Sequence, residues 1–344
     1  MVNSISFVFP ILFVVGFYAL LFSHWNINIS KLDDLDYRES YKFSFVGLFS
    51  LTQILILMGL IGMIVAFIPA LVSLVSLLSL GKLIEIFIKY YEYLTYPLAL
   101  FLIYLGLNDK GMYITLLGCA IAQLSLIGTI LLNMDNNTIN AESVLICLHL
   151  YATIYLAPLT IYYQSQLYGF LTVVSIIGAL GFSGICTGLT WVIGFRDNEA
   201  LVRCLFACGL MIFTFVMSKM NHINPILLDP FTTGINTFAS IVFLLALLII
   251  SSNIYTSSVS YWGRQFYFIL GLSGILVGGH MFNIPRMSPV GNTFAFLYLT
   301  SKYGEWIHYC GTKYIWLYVL FTSFLLFQSS LYIQNHPNIL SSLF

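Results

Sequence analysis

The chain has 344 residues, of which 60% are apolar and 8% charged, with a mean hydropathy of +0.94. Ordinary soluble domains are about 25% charged, so 13 basic and 13 acidic residues cannot cover a globule of this size, which excludes a water-soluble enzyme. The two signs balance, so there is no basic face for nucleic acid and no acidic tail.

A bilayer-spanning helix needs about 20 mostly apolar residues, with every backbone group bonded inside the segment. A first span covers Ile5–His24, and the polar loop Lys31–Lys42 after it is the most charged stretch. No charge occurs from Phe43 to Gly81, a run long enough for two spans with a break near Pro69. Further spans run Leu94–Leu107, Met112–Leu132, Ser143–Tyr163, Leu167–Gly194, Leu201–Ser218, Ile235–Ser252, Phe266–Phe282 and Tyr314–Ile333, with a shorter run at Thr293–Tyr303. The pattern predicts an all-α, polytopic transmembrane helical bundle of about 10–12 spans. Barrel strands would alternate polar and apolar residues, and these runs do not. The loops are too short for a soluble catalytic module, and their balanced charge assigns no orientation.

Ionisable residues inside spans are the first places to look for chemistry. His149 lies mid-span in Cys147-Leu-His-Leu150, where a bond to a neighbouring carbonyl competes with a ligand or proton-relay role. His280 closes Gly278-Gly279-His280 near a helix end, which suits an interfacial role. Glu305-Trp-Ile-His308 puts Glu and His on one helix face, as in bundle di-metal sites, but a second such pair and further carboxylates are absent from the spans. Lys302, Glu305 and His308 therefore read as an interfacial charge cluster at a helix start. The six cysteines sit in or beside apolar runs without a CxxC, as small packing residues rather than a zinc site or disulfide frame. No phosphate-binding GxxxxGK[ST] and no Ser/His/Asp grouping is found. Neither a charged n-region nor an Arg/Ser-rich presequence precedes the first span, so no cleavable targeting segment is expected.

From Thr190 onward a series of short elements stands in order. Trp191 is followed by Arg196-Asp197, and Ala200-Leu-Val-Arg203 opens an apolar helix. A loop then carries Asn224-Pro225 and closes on Asn236-Thr237. Gly271-Leu-Ser-Gly274 leads into Gly278-Gly279, and Glu305 with Trp306 and His308 precedes Tyr314-Ile-Trp316-Leu-Tyr318. Over about 140 of the 344 residues this series resembles subunit III of cytochrome c oxidase. The departures are specific. The family's embedded carboxylate falls near Phe213, its paired histidines at Ser273 and Leu276, and its closing Asp near Gly311.

The resemblance divides the chain into an N-terminal transmembrane extension, 1–166, and a subunit-III-like bundle, 167–344. It implies a non-catalytic core subunit of the mitochondrial inner membrane, binding no haem or copper itself. Phospholipid is then expected on the chain, and haem a and copper in partner subunits. The partners implied are the other oxidase subunits, chiefly the catalytic one, and membrane lipids. Contacts are expected through the helix carrying Arg203, the loop 224–237 and the last helix around Trp316. The sparse charge, and the 29 Phe and 23 Tyr, suit a chain made inside the organelle.

Three other readings compete. A polytopic secondary transporter calls for charge pairs buried mid-span and interrupted helices in corresponding halves, whereas these charges cluster near predicted ends. An elongase-like lipid enzyme shares Ser301-Lys302-x-x-Glu305 but needs a His-x-x-His-His box, and no two of the six histidines lie within five residues of each other. Another lineage-specific subunit of a bioenergetic complex would carry the same composition.

Overall fold

The computed structural model describes residues 8–28, 81–108, 111–133, 141–187, 190–220, 228–253, 255, 259–282, 284, 286–310, 320, 323, 324 and 328. Helices form 90% of it. In chain order they are α1 (Val8–Asn28), α2 (Gly81–Asn108), α3 (Met112–Asn133), α4 (Ala141–Tyr163), α5 (Gln166–Ala179) and α6 (Asn198–Lys219). A 3-10 turn (Asp229–Phe231) and a π-helix (Gly234–Ala239) lead into α7 (Ser240–Ser251), followed by α8 (Tyr261–Met281) and α9 (Met287–Cys310). Among the described residues four segments are long and apolar enough to cross a membrane: Met112–Ile130, Ser143–Tyr163, Asn198–Lys219 and Gly234–Ser251. Val8–His24 and Gln166–Ala179 are shorter apolar helices. The chain is a helical membrane protein.

The span expected at Leu167–Gly194 is not one helix. Helix α5 stops at Ala179, and an antiparallel hairpin of β1 (Phe182–Thr187) and β2 (Thr190–Phe195) follows, with Phe182 opposite Phe195 and Thr187 opposite Thr190. The cause is local. Gly181 takes φ +103°, a left-handed conformation that ends a helix at little cost only for glycine. Beyond it, Ile, Thr, Trp, Val and Phe punctuated by glycines favour a strand. Hydropathy reads composition and could not see this break.

Lipid tails are as apolar as leucine, so helices in a bilayer are joined by close contact and hydrogen bonds rather than by expulsion of water. Both devices occur. A Cβ on Gly118 would lie 2.8 Å from the Ala99 carbonyl oxygen, which lets α3 rest on α2. A Cβ on Gly169 would lie 2.1 Å from the Pro230 carbonyl oxygen, which brings α5 onto the 3-10 turn. Tyrosine hydroxyls supply the hydrogen bonds. Tyr168 donates to the Met112 carbonyl at 2.8 Å, and Tyr163 to the Gly106 carbonyl at 2.9 Å.

Pro158 lies inside α4 and has no N–H for the carbonyl of Ile154. The Tyr18 hydroxyl of α1 donates to that carbonyl at 2.9 Å. The proline's vacancy thereby becomes a helix–helix contact.

The buried side chains gather into two clusters. One runs from Phe13 of α1 to Tyr168 at the start of α5, the other from Val173 of α5 to Phe294 of α9. Helix α5 contributes to both. In the first, Phe13 stands 5.8 Å from the Tyr96 ring and 6.1 Å from that of Tyr151 (centroid distances), and Phe17 stands 6.5 Å from Tyr155. Cys119, Cys204 and Cys208 are buried free thiols in these cores.

Candidate functional site

The densest polar arrangement lies where α7 ends, α8 begins and α9 nears its end. The last four carbonyls of a helix have no partner within it, and in α7 these belong to Leu248, Ile249, Ile250 and Ser251. All four are satisfied. Ser251 Oγ donates to Leu248 at 2.8 Å, and Ser252 N–H and Oγ to Ile249 at 3.1 and 2.7 Å. Arg264 Nη1 donates to Ile250 at 3.1 Å, and also to Ser252 at 3.0 Å and to Tyr255. Gln265 Nε2 and Lys302 Nζ converge on Ser251 at 2.7 and 2.8 Å. Two cations thus face the negative end of the α7 dipole, the favourable sign.

Glu305 closes the arrangement. Its carboxylate accepts from Lys302 Nζ at 2.9 Å, from the Asn253 N–H at 3.0 Å and from the Tyr261 hydroxyl at 2.9 Å. The Lys302 ammonium also sits over the Tyr261 and Tyr298 rings, 5.1 and 5.6 Å from their centroids. Tyr298 in turn donates to Gln265 Oε1 at 2.9 Å and stacks on Phe268. Burial works to raise the Glu305 pKa, but the bonds from Lys302, Asn253 and Tyr261 prevail and hold it below the usual carboxylate range. Burial, together with the adjacent Glu305 carboxylate, pushes the Tyr261 hydroxyl up to about 12. Beside this knot an open cleft of about 480 Å³ is lined by Trp262, Phe266, Ile269, Tyr298 and Lys302.

The sequence places Lys302 and Glu305 in a charge cluster at a helix start. The structure keeps the cluster but sets it near the C-terminal end of α9, against the first turn of α8. His308 falls within α9, and its side chain lies outside the described residues. The partners Arg264, Gln265, Tyr261 and Tyr298 were not singled out from the sequence. An arginine and a glutamine opening an apolar helix were the available signal.

The other motif positions are dispersed. Trp191, expected within the span Leu167–Gly194, lies in β2. Asp197 caps α6: its carboxylate accepts from the Ala200 N–H and from Arg196 Nε at 3.0 Å, with Arg203 at 3.9 Å. The Ala200 bond first, then Arg196, lowers its pKa. Asn236 and Thr237, expected in a loop, are in the π-helix, with Asn236 Oδ1 and Thr237 Oγ1 buried and lacking a partner among the described residues. Gly271 faces α7, where a Cβ would meet Leu247 at 2.3 Å, whereas nothing comes within 4 Å of one on Gly274. Asn224, Pro225 and Trp316 lie outside the described residues. Phe213, where the resembled family has its carboxylate, is 60% exposed on the outer face of α6.

Among the described residues no cluster of three His, Cys, Asp or Glu side chains could hold a metal. His149 does not bond a neighbouring carbonyl through its ring among those residues. It lies flat against Gly178, where an added Cβ would meet three ring atoms at 2.7 Å. No family model matches the chain, and no curated protein or solved structure is significantly similar to it.

Proposed function

We propose that the chain is a non-catalytic core subunit of a respiratory cytochrome c oxidase in the mitochondrial inner membrane. Its role in this reading is to support the structure, the assembly and the lipid and proton environment of the subunit that reduces dioxygen. The observation that carries the proposal is the serial order of the motifs from Trp191 to Trp316. The chemistry belongs to the complex, with haem a and copper held by partner subunits and phospholipid packed on this chain. The losses at Phe213, Ser273 and Leu276 remove the family's ionisable groups and leave scaffold and assembly as the substance of the role.

The test is to purify the complex containing this chain from native membranes in mild detergent and to record its reduced-minus-oxidised spectrum. Haem a in the preparation, with oxygen uptake driven by cytochrome c, supports the proposal. A haem-free preparation overturns it and favours a transporter.

A further inference from the structure

His149 lies six residues inside the span that begins at Ser143, about 9 Å along the helix axis. Its half-buried ring lines a small, partly open cavity of about 30 Å³ together with Leu145, Ile146, Gly178, Gly181, Ser183 and Arg196. A cavity needs about 10–15 Å³ on this measure to hold one water, and the water needs two to four polar partners. This cavity has room for about two. The His149 ring, the Ser183 hydroxyl and the Arg196 guanidinium provide the partners.

The walls come from four parts of the fold. Helix α4 brings His149, the end of α5 and the turn after it bring Gly178 and Gly181, β1 brings Ser183, and the turn before α6 brings Arg196. Gly178 lets the ring lie against α5, because any side chain there would fill its place. Arg196 is held by Asp197, the exposed residue that caps α6, so the outer wall of the cavity reaches the aqueous edge. The charged group that lines the cavity is Arg196, with Asp197 paired to it and Arg203 facing Asp197. An isolated polar ring among apolar groups is costly unless it is bonded. The ring nitrogens have no protein partner among the described residues, so water is the occupant that fits both the volume and the donor set.

We propose that His149, Ser183 and Arg196 form a water-binding site for one or two molecules, through which His149 exchanges its protons with the aqueous edge. The site makes His149 a proton-accessible group within a membrane helix, and it stands independently of the oxidase reading.

Deuterium exchange at the His149 ring C2–H of the full chain in detergent, followed by mass spectrometry, tests this directly. Exposed His280 is the internal reference. A wetted ring exchanges within about tenfold of His280, since no local unfolding is required to reach it. Ile146→Phe, which adds apolar bulk to the cavity wall, then slows His149 and leaves His280 unchanged. Wild-type exchange slower than that of His280 by about a hundredfold or more marks a dry ring reached only by local opening and overturns the proposal. Exchange that is fast in both the wild type and Ile146→Phe also overturns it, because the ring would then be wetted by another route.

Discussion

At the scale of single residues, the energetic weight falls on polar groups whose partner lies on another helix. Tyr18→Phe leaves the Ile154 carbonyl unpaired and should cost about 1 kcal/mol, an ordinary value for one such bond. Pro158→Ala returns an N–H to that carbonyl, so the cost of Tyr18→Phe should shrink in its presence. A double-mutant cycle on detergent-solubilised protein reads the difference, and equal costs in both backgrounds contradict the contact. Glu305 makes a pH prediction. Its pKa is lowered in the folded state, so its stabilisation is complete above the ordinary carboxylate value of about 4.3 and is lost as pH falls below it. Melting temperature should therefore drop on acidification in this range, and Glu305→Gln should flatten that part of the profile.

Elements are held at the points where backbones touch. Gly169→Ala presses a Cβ onto the Pro230 carbonyl, a backbone group that cannot swing aside. It should destabilise by on the order of 1–3 kcal/mol. Gly274→Ala meets open space and gains helix propensity, so it should be neutral or stabilising by up to about 1 kcal/mol. Thermal unfolding of the two variants separates the predictions, and a matching loss in both would remove the distinction. At the head of α6, Asp197→Ala should destabilise more than Asp197→Asn, because asparagine can still accept from the Ala200 N–H.

Over the whole molecule, the outward faces are those expected in a bilayer. Val202, Phe206, Leu210 and Phe213 form an exposed stripe on α6, at the spacing of one helix face. Under the proposed function this stripe, on the helix carrying Arg203, meets a partner subunit. Phe206→Ala with Phe213→Ala should then lower the haem a recovered with the chain while leaving the melting temperature of the chain itself unchanged. Unchanged haem recovery would assign the stripe to lipid. Helices α6 and α8 pack on α7, whose C-terminal carbonyls are closed by side chains from α8 and α9.

The amino-acid sequence alone determined that the chain is an apolar helical bundle, because hydropathy over 20 residues is a local property and lipid tolerates few other backbones. It also marked Lys302 and Glu305, with His308, as one charge cluster, since ionisable residues so close together stand out in an apolar chain. Only the tertiary structure decided what these groups bind. Arg264 and Lys302 are 38 positions apart, and no short-range pattern says that both close the end of α7. The break within Leu167–Gly194 turned on the backbone of Gly181, which average hydropathy does not register. The pairing of Tyr18 with Ile154 and the cavity beside His149 likewise depend on which helices become neighbours, a property of the folded chain as a whole.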